Sequence, residues 1–346
     1  MIAPRMRLAE VARVADVSTA TVSRVLNEKP GVAEATRARV TAALQALGYH
    51  QEPVAESEPL IAVTVPELGN PTFTAFAEEI GIQLSAAGWN MILCTAGPRG
   101  AHESQYIELL IGLGVAGVVS VSGSLADRLS TPEHYHHLEA AGIPAVFVNC
   151  YQPGVRGSFF SSSDAEAVAM SVAHLRAFGH TRIGLAVGQL RYMPAERKAE
   201  AFRALGFPEE SAVSTTFTVE GGQAAAARLL DSGHTALLCG SDVMALGAIR
   251  EAHSRGLDVP GDVSVVGYDD SALMPFTSPA LTTVRQPVPA MARAAVDALL
   301  AAINGLPADP TELLFHPDLI IRQSTGPVRP ADPPIDSWLA LPTPRA

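Results

Sequence analysis

The 346-residue chain has few cysteines, few charged residues and no long apolar run, and each shortage excludes a class of protein. Its three cysteines, Cys94, Cys150 and Cys239, provide neither a disulfide framework nor the spacing of a metal site. Charged residues make up 17% and hydrophobic residues 48% of the chain, which predicts large buried cores. Because no apolar run reaches membrane-spanning length and the first twenty residues lack the apolar core of a signal peptide, we expect a cytoplasmic protein without membrane contact.

The sequence also lacks the loops of common α/β enzymes. It has neither a Gly-Lys-Ser/Thr phosphate loop nor a G-x-S-x-G nucleophile elbow. A G-x-G-x-x-G run at residues 112–117 follows a helical stretch and leads into a strand, the reverse of the order in a dinucleotide-binding loop. His134, His136 and His137 diverge along a helix without an acidic or thiol partner at ligand spacing, which favours a solvated surface. We therefore expect no catalysis, no cofactor and no bound metal.

The net charge of −11 is distributed unevenly. Residues 1–50 contain seven Lys and Arg against four Asp and Glu, whereas the remaining residues contain 17 against 31. A weakly basic segment on an acidic body is typical of a protein that contacts nucleic-acid phosphate through that segment alone.

Residues 8–27, LAEVARVADVSTATVSRVLN, predict two short helices joined by a tight turn. Ala12 and Ala15 allow the helices to cross closely, and Ser18 stands at an N-cap position before the short side chains of the second helix. In a DNA-binding helix-turn-helix, this first turn meets the edges of bases. An apolar set recurs at helical spacing: Leu8, Val11, Ala12, Val17, Val22, Val25 and Leu26. An ordinary amphipathic helical hairpin is the alternative.

A third helix is predicted from Glu34 to Leu47, with Val40, Ala43 and Leu44 on its apolar side. Gly48 is expected to end this helix. Three helices within residues 1–50 predict a small, separately packed head.

These residues resemble the headpiece of the lactose/galactose repressor (LacI/GalR) family. The resemblance is carried by VSTATVSRVLN at residues 17–27, together with Val32, Thr36-Arg37 and Leu47-Gly48-Tyr49. It implies a sequence-specific transcription regulator, a repressor, whose homodimer reads a palindromic operator. It also implies that Thr19 and Ala20 face bases and that Arg24 contacts a base or a phosphate. The residues implied to contact phosphates are Ser18, Thr21, Ser23, Asn27 and Thr36.

From Leu60 onward, short β-rich runs alternate with amphipathic helical stretches. Runs such as IAVTV are apolar throughout, as in parallel strands covered on both faces, so we predict an α/β fold with doubly wound parallel sheets in two lobes. The predicted strands are Leu60–Val65, Asn90–Cys94, Gly117–Val121, Ala145–Asn149, Arg182–Val187, Ala236–Cys239, Val263–Tyr268 and Leu281–Val284. The predicted helices include Thr74–Ala87, Ala165–Phe178, Ala195–Leu205, Gln223–Leu230, Val243–Ser254 and Pro289–Ile303.

The resemblance to the same family extends over this body, through runs such as Asn70–Phe73, Ser241–Gly247, Val259–Asp270 and Leu281–Gln286. It implies a periplasmic-binding-protein-like pair of lobes with a small-molecule, carbohydrate-related effector bound between them. The implied division of the chain is a head at 1–50, a linker at 51–59, lobe one at 60–160 with 287–315, and lobe two at 161–286 with 316–325. The composition of residues 326–346, with six prolines and no apolar repeat, predicts a Pro-rich disordered tail.

A sugar-like effector needs carboxylate or amide acceptors and an apolar or aromatic wall. By the resemblance, Asp242 and Asn149 match ligand positions of the family, although Asp242 is also placed to cap the following helix. Gln286, at the end of the last matching run, belongs to the same set. Phe217 and Phe73 are candidate walls, and a place in the core is the alternative for each.

The family reaches its ligand through an Arg-x-x-Gly-Phe motif, which the segment RKAEAF at residues 197–202 resembles. Placing Ala201-Phe202 on Gly-Phe puts Lys198 at the arginine position, whereas a one-residue shift puts Arg197 there. Because lysine cannot form the paired hydrogen bonds of arginine, a phosphorylated or acidic effector is one explanation for a lysine at this position. A solvated lysine is the other.

The linker at residues 51–59 departs from the family pattern Asn-x-x-Ala-x-x-Leu. Glu58 stands at the leucine place, Pro59 limits any helix to two turns, and three glutamates would repel phosphate. We therefore predict little or no insertion of a leucine into the minor groove and little bending of the operator. Asp16 stands where the family often has glycine, at a left-handed turn that Asp tolerates better than most residues.

Two other classes of protein share a two-lobed or doubly wound α/β body. A ligand-binding module without a DNA function is disfavoured by the N-terminal helices. An α/β enzyme is disfavoured by the absence of a correctly placed phosphate loop.

Overall fold

Two separately packed units divide the chain: a head, residues 1–58, and a body, residues 59–346. The computed structural model describes residues 8–26, 31–47, 60–96 and 102–329. The described residues of the head share one apolar core, whereas the body has apolar cores on both faces of two sheets.

The described part of the head consists of α1 (Leu8–Ala15), α2 (Thr19–Leu26) and α3 (Glu34–Ala46). Val11, Val22 and Val40 are fully buried in the shared core, as the apolar spacing predicts. The prediction for Leu8 is wrong: it is 37% exposed, because the buried side of α1 begins one turn later, at Val11. Asp16 has a φ of 50°, which confirms the predicted left-handed turn between α1 and α2.

Two six-stranded sheets form the body, one in each lobe. Sheet one contains β1 (Leu60–Val65), β2 (Asn90–Thr95), β3 (Gly117–Val121), β4 (Ala145–Val148), β5 (Ser158–Ser162) and β11 (Glu312–Phe315). Sheet two contains β6 (Ile183–Val187), β7 (Ala212–Ser214), β8 (Ala236–Cys239), β9 (Ser264–Asp269), β10 (Thr282–Arg285) and β12 (Asp318–Ile320). The strand orders are β11-β5-β4-β3-β1-β2 and β12-β10-β9-β8-β6-β7, and every pairing is parallel except that of β10 with β12.

Helices cover both faces of each sheet, which confirms the doubly wound architecture. The body helices are α4 (Pro71–Ala86), α5 (Glu103–Leu113), α6 (Glu133–Ala140), α7 (Asp164–Ala177), α8 (Met193–Ala204), α9 (Val219–Asp231), α10 (Asp242–Ser254) and α11 (Val288–Ile303). On sheet one, α4 and α11 share a core on one face and α5 and α6 on the other; on sheet two the pairs are α9 with α10 and α7 with α8. Among the described helices, none combines the length and apolar character that a membrane span requires.

The chain passes between the two sheets three times, at residue 163, at 286–287 and at 316–317. All eight predicted strands occur, with ends shifted by at most one residue. Four short strands, β5, β7, β11 and β12, were not predicted. Gly112 lies in α5 and Gly117 opens β3, so the glycine run joins a helix to a strand in the order that excludes a dinucleotide loop.

The C-terminal segment of the body remains ordered beyond the predicted boundary. The Gly326 N–H donates to Ser264 Oγ at 3.1 Å, and the Val328 N–H donates to the Phe178 carbonyl at 2.9 Å. The prediction of a disordered tail is therefore wrong for residues 326–329, because their backbone groups bond to lobe two. The rest of that predicted tail, residues 330–346, and the linker at 51–59 lie outside the described residues.

Candidate DNA-binding surface and effector cleft

The first turn of α2 presents short side chains on the surface of the head. Ser18 caps this helix, because its Oγ accepts a hydrogen bond from the Thr21 N–H at 3.1 Å. Thr19 and Ala20 are exposed, whereas Val22 lies in the core. The N–H groups at this end of the helix carry partial positive charge, so the turn suits the approach of a phosphate or a base edge.

The other predicted DNA contacts differ in exposure. Arg24 is exposed one turn after Ala20, and its Nη2 lies 3.3 Å from the point where a Cβ on Gly31 would stand. Half-buried positions hold Thr21, Ser23 and Thr36. Asn27 lies outside the described residues. The exposed positions of the predicted set are therefore Ser18, Thr19, Ala20 and Arg24.

A chain of side-chain amides joins the two lobes. The Ser162 N–H donates to Asn149 Oδ1 at 3.2 Å, and Asn149 Nδ2 donates to Gln286 Oε1 at 2.9 Å. Gln286 Nε2 donates in turn to Asp269 Oδ1 at 2.7 Å. This amide chain leads from the ends of β4 and β5 in sheet one to the end of β9 in sheet two. We call the junction around it the effector cleft, because it lies between the lobes, where the sequence predicts a small-molecule effector.

Asp242, the first residue of α10, is 1% exposed and bonds within lobe two. Its carboxylate accepts hydrogen bonds from the N–H and hydroxyl of Ser271 at 2.7 and 2.9 Å and from the Thr283 hydroxyl at 2.5 Å. The cap of α10 is Ser241, whose Oγ accepts from the Met244 N–H at 3.3 Å. Asp242 is therefore not the side-chain cap, and it holds the loop after β9 in place. Burial raises its pKa to about 6.

Asp269, the last residue of β9, has hydrogen-bond partners from both lobes. It accepts from Gln286 Nε2 and from the hydroxyl of Thr72, which lies in the first turn of α4 in lobe one. Its φ of 115° is a strained value for a residue with a Cβ. Burial, together with the charge of Asp242, raises the pKa of Asp269 to about 8. Asp269 is thus a carboxylate of lobe two that is hydrogen-bonded to lobe one.

Lys198 lies on the buried side of α8 and is 4% exposed. Its Nζ forms an ion pair with Asp164, the first residue of α7, and lies 3.8 Å from the centroid of the Tyr268 ring. Burial raises the pKa of Asp164, and the Lys198 ammonium opposes that rise. The positive charge of Lys198 is therefore compensated inside the lobe, and the solvated-lysine alternative does not hold.

Arg197, the preceding residue of α8, joins the two lobes. Its two terminal nitrogens donate to both carboxylate oxygens of Glu312, each at 2.7 Å. Glu312 begins β11 in sheet one, and both side chains are partly shielded from solvent. Arg197 thus forms a bidentate pair across the junction, of the kind that lysine cannot form.

Both candidate aromatic walls are half-buried. The Phe217 ring occupies the space beside Gly188 at the end of β6, where a Cβ would lie 1.9 Å from its Cε2, so only glycine fits there. This ring also packs against the cores on both faces of sheet two. Phe73, in the first turn of α4, packs against the core of sheet one. Each ring therefore has a core side, and each stands next to the end of a strand.

Sequence reasoning did not single out two residues that the structure brings into the cleft, Asp164 and Asp269. A signal for Asp269 was available in the sequence. Tyr268-Asp269-Asp270 stands at the end of a predicted strand, in the run Val259–Asp270 that resembles the family. No such signal was available for Asp164, because the preceding strand, β5, reads SFFSS and was not predicted. Without that strand, nothing in the sequence indicates that the next residues cross between the lobes.

Two family models match this chain. The model "Bacterial regulatory proteins, lacI family" matches residues 7–52, and the model "Periplasmic binding protein-like domain" matches residues 172–325. The first covers the three described helices of the head, and the second covers most of lobe two with two of the three crossings between the sheets, those at 286–287 and 316–317.

Similar proteins are regulators of transcription. The HTH-type transcriptional regulator MalR of Streptomyces coelicolor is 48% identical over 333 residues, which cover 92% of this chain and 96% of that protein. A solved structure of a transcriptional regulator CelR–cellobiose complex is 30% identical, with a TM-score of 0.69 over 92% of this chain and 100% of that one. The lac repressor dimer bound to operator and the anti-inducer ONPF is 27% identical, with a TM-score of 0.69 over 93% and 99%. The head matches the lacI-family model, the body matches the periplasmic-binding-protein-like model, and 48% identity to MalR extends over nearly the whole chain. The protein therefore belongs to the LacI family of helix-turn-helix transcriptional regulators.

Proposed function

We propose that this protein is a repressor that binds a palindromic operator as a homodimer and responds to a neutral sugar. The observation that carries the DNA-binding part is the Ser18-capped first turn of α2, which exposes Thr19 and Ala20 above a closed core. The lac repressor, to which the chain is similar, is a dimer on its operator, which supports a homodimer here. We expect the protein to act in the cytoplasm and without a catalytic step.

In this proposal, Thr19 and Ala20 face the bases of the major groove. Ala20 offers only an apolar contact, for instance to a thymine methyl group. Arg24 reaches a guanine edge or a phosphate. The phosphate contacts are Ser18, Thr21, Ser23, Asn27 and Thr36. Phosphate contacts add affinity for every sequence, whereas base contacts decide which sequence is preferred.

Selection of binding sites from a random duplex library tests this assignment. We expect the full-length protein to enrich a palindrome and the Ala20→Arg variant to enrich a different base at one position of each half-site. Thr36→Ala serves as the matched comparison, because loss of a phosphate contact should weaken all sequences about equally. Identical enrichment by wild type and Ala20→Arg, or no enrichment at all, would contradict the proposal.

The charges around the cleft support a neutral effector rather than an anionic one. Each of the two cations predicted for this site has a carboxylate partner, because Lys198 pairs with Asp164 and Arg197 with Glu312. A phosphate or carboxylate would have to displace one of these carboxylate partners to pair with either cation. Sugar hydroxyls, by contrast, can donate to Asp269 and exchange hydrogen bonds with the amides of Asn149 and Gln286.

Thermal unfolding with candidate ligands tests the effector class. We expect a neutral sugar, with cellobiose and ribose as first probes because solved structures of similar regulators contain them, to raise the melting temperature, and glucose 6-phosphate and gluconate to leave it unchanged. Asn149→Ala should remove the shift, whereas Asn304→Ala, at an exposed asparagine of the same lobe, should preserve it. A shift with the anionic probes alone would overturn the neutral-effector proposal.

A further inference from the structure

A second buried polar cluster lies in lobe one, and its centre is Glu103, the first residue of α5. The Glu103 side chain is 7% exposed. Its Oε1 accepts hydrogen bonds from the hydroxyls of Thr64 at 3.2 Å, Ser120 at 3.0 Å and Tyr135 at 2.5 Å. Its Oε2 accepts from the Ser124 N–H at 2.5 Å. Four donors on two oxygens satisfy the buried carboxylate within its own lobe.

His134 belongs to this cluster, so the prediction of a solvated surface is wrong for this histidine. Its side chain is 11% exposed, and its Nε2 lies 2.8 Å from Ser124 Oγ and 3.9 Å from Glu103 Oε2. It shares one side of α6 with the buried Leu138, one turn later, which turns the ring toward the lobe. Burial lowers the pKa of His134, and Glu103 opposes that change. His136 and His137 are exposed, as predicted.

The cluster fixes the loop that follows β3. A Cβ on Gly123 would lie 2.3 Å from Ser120 Oγ and 2.4 Å from Glu103 Oε1, so the backbone runs directly against the cluster at this residue. A short 3-10 helix, Ser124–Ala126, follows immediately. We call residues 122–128 the anchored loop.

The end of the anchored loop contacts lobe two. Asp127 forms an antiparallel bridge with Tyr192, and the Arg128 N–H donates to the Arg191 carbonyl at 2.9 Å. The Arg128 side chain also forms an ion pair with Glu196. These partners lie at the start of α8, the helix that carries Lys198 into the cleft.

We propose that Glu103 is a positioning residue of the effector cleft, which holds the anchored loop so that lobe one meets the start of α8. All four donors to Glu103 come from lobe one, so the loop keeps its shape whether or not the lobes are in contact. A surface that is already ordered lowers the entropy cost of bringing the lobes together. The inference rests on the proposed function only in treating this cleft as the effector site, since the contact between the anchored loop and α8 does not require an effector.

Hydrogen exchange of the full-length, ligand-free protein tests this role. Glu103→Ala should speed exchange about tenfold in residues 122–128 and 191–196, as expected for the loss of about 1.4 kcal/mol of local stability. Exchange in β4 and β5, which hold none of the four donors, should stay at the wild-type rate. Glu103→Gln should stay within about twofold of wild type, because a glutamine oxygen accepts and its amide donates to the hydroxyls. Glu108→Ala is the matched control, since Glu108 lies on the same helix with an exposed side chain.

Two results would overturn the proposal. Faster exchange throughout lobe one, including β4 and β5, would make Glu103 a general stabiliser of that lobe. Unchanged exchange at 191–196 would show that the loop does not position α8. If Glu103→Ala does not fold, Tyr135→Phe removes one of the four donors and should give the same pattern with a smaller increase. No sugar is used, so failure of the sugar proposal leaves this test intact.

Discussion

The buried ion pair between Lys198 and Asp164 gives the sharpest prediction for the body. Lys198→Met keeps the aliphatic stem but removes the ammonium that neutralises Asp164 and lies over the Tyr268 ring. Asp164 is 6% exposed, so its charge would remain in a poorly solvated site. The variant should therefore be much less stable than an exposed substitution on the same helix.

Loss of one partner of a buried pair typically costs about 3–5 kcal/mol. Protonation of Asp164 limits this cost, because burial already raises its pKa above the value in the unfolded chain. The folded variant then binds a proton that the unfolded chain has lost, so its stability rises as the pH falls. We expect Lys198→Met to lower the free energy of unfolding by about 3 kcal/mol at pH 7, and the decrease to be smaller by about 1 kcal/mol at pH 5.

Urea unfolding followed by circular dichroism measures these free energies, with Arg203→Met, at an exposed position of α8, as the control. Asp164→Asn should also destabilise the protein, because it leaves Lys198 buried without its carboxylate. The double variant should lose about 2 kcal/mol less than the sum of the two single losses. Additive losses, or a loss below about 1 kcal/mol for Lys198→Met at pH 7, would refute the view that the pair is a buried, coupled unit.

Three further outcomes are expected. As the pH falls from about 8 to about 5, Asp269 and Asp242 should each add at most about 1.4 kcal/mol per pH unit to the unfolding free energy, because their folded pKa values lie above their unfolded values, whereas the lowered pKa values of His134, His174 and His180 act in the opposite direction. Asp269→Asn should flatten this dependence in urea titrations at several pH values, and an unchanged slope would contradict the assignment. Ser18→Ala should cost the head about 1 kcal/mol, measured as faster hydrogen exchange in α2, because the Thr21 N–H loses its cap. From the linker sequence at 51–59 we predict little operator bending, and a strong central kink in gel-phasing experiments would contradict this.

The head could be predicted closely because its structure depends on local signals. The spacing of Val11, Val22 and Val40, the Ser18 cap and the left-handed Asp16 are each determined by residues within a few positions along the chain. Only Leu8 was misplaced, since a helical pattern does not show where packing begins.

The cleft was harder to predict, because its contacts join residues far apart in sequence. The spacing of residues 197–202 left Lys198 and Arg197 as alternatives for the inward residue, and it did not indicate Asp164 as the partner of Lys198. Asn149 and Gln286 were expected near a ligand, whereas their mutual hydrogen bond depends on where the chain crosses between sheets. His134 was assigned to the surface because the sequence does not show that Glu103 and Ser124 lie beside it.

Binding of the full-length protein to a selected palindrome, measured by fluorescence anisotropy at two salt concentrations, tests the central claim most directly. We expect the palindrome to bind more tightly than a scrambled duplex at both salt concentrations, and the affinity for each duplex to fall steeply as salt rises. Equal affinity for both duplexes, or binding that does not change with salt, would contradict a head that reads operator DNA through the first turn of α2.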